Sequence, residues 1–90
     1  MSIIAVKIKI MPDSSETDIM KMEKNVKIIL EKNEIKNPKF EVQPIAFGLK
    51  ALIITFGWPE EKELESLEEE LKKIKEVGSV QVIDIRRAIG

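Results

Sequence analysis

The stretch FEVQPIAFGLKALIITF, residues 40–56, decides the fold. Phe40, Val42, Pro44 and Ala46 recur with a period of two, which predicts a strand from Phe40 to Ala46. Pro44 has no N–H to give to a ladder, so this strand belongs at a sheet edge or carries a bulge. Phe47-Gly48 is the natural turn. Leu49 to Phe56 then predicts a second strand, with Leu52, Ile54 and Phe56 on one face and Leu49, Ala51, Ile53 and Thr55 on the other. A strand that is apolar on both faces is usually central. So short a connection makes the pair antiparallel.

A βα pattern precedes this hairpin. Ile4, Val6, Ile8 and Ile10 alternate with Ala5, Lys7 and Lys9, so Ile3 to Met11 reads as a strand, ended by Pro12-Asp13. Ser15 and Asp18 have the spacing of a capping box, which predicts a helix opening at Ser15. Ile19, Met22, Val26, Ile29 and Leu30 form one helical stripe, and the helix fades near Asn33, before the break at Asn37-Pro38.

An αβ pattern follows it. Gly57 is expected to end the second hairpin strand, and Pro59 to sit in the first turn of a second helix. Leu64, Leu67, Leu71 and Ile74 make its buried stripe, and Gly78 is the expected stop. Glu60, Glu61, Glu63 and Glu65 lead this segment while Lys72, Lys73 and Lys75 close it, which complements the helix macrodipole. Ser79 to Arg87 reads as a last strand. Its alternation breaks between Val80/Val82 and Ile83/Ile85, so a bulge is expected near Val82 and Ile83.

The order is β-α-β-β-α-β. Right-handed crossovers around an antiparallel hairpin give an α+β fold, the ferredoxin-like sandwich: a four-stranded antiparallel sheet with two helices on one face. At 90 residues the chain has room for one domain, expected to span 1–90.

Composition removes whole classes of chemistry. The chain has no cysteine and no histidine, so disulfides, thiolate metal sites, serine–histidine triads and imidazole acid–base catalysis are absent. Fifteen basic and sixteen acidic residues leave a net charge of −1, which argues against a broadly basic nucleic-acid binder. No apolar stretch approaches the roughly 18–20 residues of a membrane span, and no secretory signal pattern opens the chain. A cytoplasmic location, no cofactor, no metal and no membrane or direct nucleic-acid partner are the expectations.

Few residues stand out as functional. On hairpin chemistry alone, Gly48 supplies a special backbone angle and Phe47 plugs a core edge; the alternative is an aromatic anchor offered to a partner at a loop tip. Arg86 and Arg87 are solvated strand-end charges, or they reach phosphates or an acidic partner. Trp58-Pro59 is expected to cover one end of the core. Asp13, Glu16 and Asp18 lack the spacing of an EF-hand loop and are read as helix capping.

The run PIAFGLKAL, residues 44–52, together with DIRRAIG, residues 84–90, resembles the archaeal-type translation elongation factor 1-beta family. The resemblance covers essentially the whole chain, including the element order and the Pro-Asp turn after the first strand. It implies the ferredoxin-like fold and a guanine nucleotide exchange factor, without covalent chemistry, for the GTPase elongation factor 1-alpha. It implies that Phe47 and Gly48 match the aromatic turn that touches the nucleotide-binding domain in eukaryotic relatives. In those relatives a lysine near the C-terminus reaches the Mg²⁺ site. This chain instead ends Arg86-Arg87-Ala88-Ile89-Gly90, with no lysine after Lys75. Charge from the arginines, or the bulk of the tail, would act in its place. The free factor is expected to be a monomer. Two rivals are a dimeric ligand-sensing module of the same fold, pairing through an apolar patch of Leu49, Ala51 and Ile53, and non-specific RNA binding through Lys7, Lys9, Arg86 and Arg87.

Overall fold

A computed structural model describes residues 2–87. The elements are β1 (Ile3–Pro12), α1 (Ile19–Lys32), β2 (Lys39–Pro44), a short 3₁₀ turn (Ala46–Gly48), β3 (Lys50–Pro59), α2 (Glu65–Lys72) and β4 (Val77–Arg87). The strands form one antiparallel sheet in the order β2-β3-β1-β4. This is the expected ferredoxin-like arrangement. β3 is central and β2, with Pro44, lies at an edge.

The core lies between the helices and one sheet face. Val6, Ile8 and Ile10 of β1 and Leu52, Ile54, Phe56 and Trp58 of β3 meet Met22, Val26 and Leu30 of α1 and Leu67 and Leu71 of α2. All of these are buried. Period two on the strands and a helical stripe on α1 and α2 bring these side chains to one layer. Trp58 closes the core as expected. It meets Phe56 edge-on at 6.0 Å between ring centroids, and its indole N–H donates to the Lys62 carbonyl at 2.9 Å.

Three local expectations are corrected. First, α1 opens at Ile19, not Ser15. Asp18 is itself the N-cap, accepting from the Met20 and Lys21 amides at 3.1 and 3.3 Å. Ser14 instead turns the preceding loop, its hydroxyl accepting from the Glu16 amide. Second, Gly57 does not end β3. The strand stays paired to β1 as far as Ile3 opposite Pro59, so Pro59 closes a strand and does not open a helix. Third, Gly78 does not stop α2, which ends at Lys72. Glu76 takes the left-handed conformation before β4, with φ 74°. Gly78 lies within β4 at a register shift, where a Cβ would stand 2.9 Å from the Pro12 carbonyl oxygen. Glu70 of α2 reaches across to Lys32 and Asn33 at the end of α1, tying the two helices together.

The expected bulge is present. Lys7 pairs with Asp84 and Ile8 with Val82, which leaves Ile83 unopposed.

Candidate functional site

Phe47 is the most exposed large apolar side chain among the described residues, at 94%. The local backbone explains why. The chain leaves β2 and must reverse into β3 within five residues, from Ile45 to Leu49. The Ile45 amide donates to the Leu49 carbonyl at 2.7 Å, and the Leu49 amide donates back to Ala46 at 3.3 Å. Closing that loop puts two successive residues in the left-handed region, Phe47 at φ 63° and Gly48 at φ 75°. Glycine is at ease there. A phenylalanine is not, and such a residue costs on the order of 1–3 kcal/mol. The energy cannot be recovered by packing, because the ring packs on almost nothing. An exposed aromatic in a strained backbone is unfavourable for folding in both respects. The core-plug alternative therefore fails: the ring stands in solvent at the tip of the turn.

Gly48 faces the β1–α1 loop. A Cβ at position 48 would lie 4.0 Å from Ser15 Cβ, an ordinary contact, so its glycine answers to the backbone angle and not to space. Pro12, Ser14, Ser15, Thr17 and Lys50 border the cleft below this turn. Ser15 was read in the sequence only as a helix start. Its position beside Gly48 had no local signal, because 33 residues separate them.

Arg86 and Arg87 stand at the end of β4. Arg86 pairs with Ala5 on β1, and its Nε donates to Asp84 Oδ2 at 2.9 Å. Arg87 pairs with Ile4, and its Nη2 lies 2.8 Å from Glu60 Oε2. Glu60 follows β3, so this ion pair links the ends of two strands that are not neighbours. Both arginine side chains are about four-fifths exposed, and surface pairs of this kind contribute roughly 0–1 kcal/mol. They leave the guanidinium groups available. Ala88, Ile89 and Gly90 lie outside the described residues.

The fold does not bring Phe47 and the arginines together. Arg87 is opposite Ile4 and Val77 is opposite Pro12, so β4 ends beside the start of β1, while the Phe47 turn sits past the start of β3 at the far end. Eight residue steps along β1 separate the two, about 26 Å at the usual strand rise. The candidate site is two sites at opposite ends of a rigid sheet.

The sheet face away from the helices is not the apolar patch the dimeric rival needs. Ala51 and Ile53 are buried within the single chain, at 0% and 5% exposure. Ile53 lies between Lys9 and Glu41 on the neighbouring strands, whose long side chains flank it. Leu49 precedes β3 and is half-buried.

The model of the EF-1 guanine nucleotide exchange domain matches residues 5–88. The chain belongs to the EF-1 guanine nucleotide exchange domain family. Relatives agree: elongation factor 1-beta of Methanosarcina barkeri is 40% identical over 85 residues, covering 93% of this chain and 96% of that protein. Elongation factor 1-beta of Methanocaldococcus jannaschii is 38% identical over 90 residues, covering 98% and 100%. Among solved structures, 30S ribosomal protein S6 of Thermotoga maritima has a TM-score of 0.60 at 17% identity, covering 98% of this chain and 89% of that one. The ACT domain of a Chlorobium tepidum GTP pyrophosphokinase has a TM-score of 0.63 at 15% identity, covering 88% and 96%. These last two likenesses concern the fold alone. Membership in the exchange domain family rests on the sequence, and the family match includes both the Phe47 turn and the arginine pair.

Proposed function

We propose that this chain is a translation elongation factor that exchanges GDP for GTP on elongation factor 1-alpha. The observation that carries the reading is Phe47: an exposed ring in a left-handed backbone, inside a chain of the exchange domain family. Phe47 is the anchor, Gly48 permits its turn, and Arg86, Arg87, Ala88, Ile89 and Gly90 form the second contact.

A GTPase holds GDP through its phosphate loop and Mg²⁺. A factor shifts the GTPase toward its nucleotide-free form only by the amount it favours that form over the GDP-bound form. Each tenfold gain in release rate needs about 1.4 kcal/mol of preference for the transition state of release over the GDP-bound form. Phe47 supplies affinity by burying its ring in an apolar socket, and its fixed backbone means little ordering is lost on binding. The tail end supplies the preference. Its arginines or its bulk disturb the Mg²⁺, phosphate and switch region, so contact there competes with bound GDP. The factor's own residues make and break no covalent bond, and the free protein is a monomer.

Release of a fluorescent GDP analogue from elongation factor 1-alpha tests the reading. Micromolar amounts of this protein are expected to accelerate release, and no acceleration would sink it. Light scattering tests the free state: a monomer is expected, and an obligate dimer would favour the ligand-sensing rival.

A further inference from the structure

The Ile83 bulge has a side effect on β4. It switches the strand's phase, so that beyond it Asp84 and Arg86 join the open face of the sheet, where unbroken alternation with Val80 and Val82 would have turned them toward the helices. There Asp84 lies opposite Lys7, and Lys7 opposite Thr55. Arg86 lies opposite Ala5, and Ala5 opposite Gly57. The second row is thus a large cation beside two of the smallest residues. Ala5, Lys7, Thr55, Asp84 and Arg86 line a cavity of about 240 Å³.

The groups facing this hollow are mostly donors. The Lys7 ammonium and the Thr55 hydroxyl have no hydrogen-bond or ion-pair partner among the described residues. Asp84 is committed through Oδ2 to Arg86 Nε, which leaves the two terminal nitrogens of the guanidinium directed elsewhere. That bond also offsets part of the repulsion Asp84 would offer an anion. Lys39 continues the Lys7–Thr55 row on β2 and adds a second lysine.

We propose that Lys7, Thr55 and Arg86 form a binding site for a phosphate-type oxyanion on the open sheet face. An ammonium, a hydroxyl and a planar guanidinium that border one shallow hollow are all donors, and a tetrahedral oxyanion can accept from each. The site stands on this geometry alone and does not depend on the exchange reading. Inorganic phosphate and the phosphates of a free guanine nucleotide share the chemistry.

Amide NMR of the free chain tests it, with sodium phosphate replacing chloride at constant ionic strength. Saturable shifts centred on Lys7, Thr55 and Arg86 are expected, with a dissociation constant on the order of 1 mM. Lys7→Gln and Arg86→Gln are each expected to weaken binding about tenfold, while Lys24→Gln on the exposed face of α1 leaves it unchanged. A parallel titration with GDP separates the sources. Equal affinity means that the site reads a single phosphate group, and tighter GDP binding at the same amides means that it reads a nucleotide. Absence of saturable shifts, shifts centred elsewhere, or unchanged binding in the Lys7→Gln/Arg86→Gln double variant would overturn the proposal.

Discussion

Phe47 sets stability against function at a single position. Its ring is exposed and its backbone is left-handed, so the fold gains nothing from it. Phe47→Ala should leave the unfolding free energy within about 0.5 kcal/mol of the parent while weakening nucleotide exchange by a hot-spot loss of roughly 2 kcal/mol. A folded and fully active Phe47→Ala protein would remove Phe47 from the interface. Phe47→Asn goes further: asparagine accepts the left-handed region, so unfolding should cost up to about 1 kcal/mol more, with exchange still lost. Urea denaturation of the two variants checks both statements. The sequence shows the turn but not whether its ring is buried, because exposure depends on where β1, α1 and β3 end around the turn.

At the scale of elements, the strands and helices were legible because burial follows their periods. Met22, Val26 and Leu30 recur on α1 as Val6, Ile8 and Ile10 alternate on β1, and each set reaches the core. The Ile83 bulge was legible for the same reason, as a break in phase. What stayed hidden was set by a partner element. β3 runs to Pro59 because β1 begins at Ile3, and that length is not written within β3 itself. Gly78 looked like a helix stop. Its smallness instead serves the close approach of Pro12 and Asp13, more than sixty residues earlier in the chain. Gly78→Ala should therefore destabilise the fold by roughly 1–3 kcal/mol, since backbone atoms on both sides must shift. Asp18→Ala should cost about 1 kcal/mol through loss of the α1 cap. Thermal or urea unfolding measures both. An Asp18→Ala protein as stable as the parent would mean that the two amides it accepts from are satisfied without it.

At the scale of the molecule, the charges divide as the sequence suggested. The acidic residues gather around α2 and the arginines at the end of β4. The candidate site divides as well, which local reading could not anticipate: Phe47 and Arg87 both lie within the residues the family matches, yet the sheet holds them about 26 Å apart. Sites this far apart, with no side chain in contact with both, act additively. Combining Phe47→Ala with Arg86→Ala and Arg87→Ala should therefore give the sum of their separate losses in exchange, within about 0.5 kcal/mol. A larger coupling would mean that the partner bends to join the two ends. The arrangement also has a mechanical side. β4 is held to β1 along nine residue pairs from Arg87 opposite Ile4 to Val77 opposite Pro12. A pull on the tail, with the Phe47 end held fast, runs along the strands and loads that whole ladder in shear. Shear must break many bonds at once, whereas peeling breaks them singly. The tail of this small protein is thus anchored like a cable along a beam, able to transmit tension to a gripped partner without the edge strand coming away.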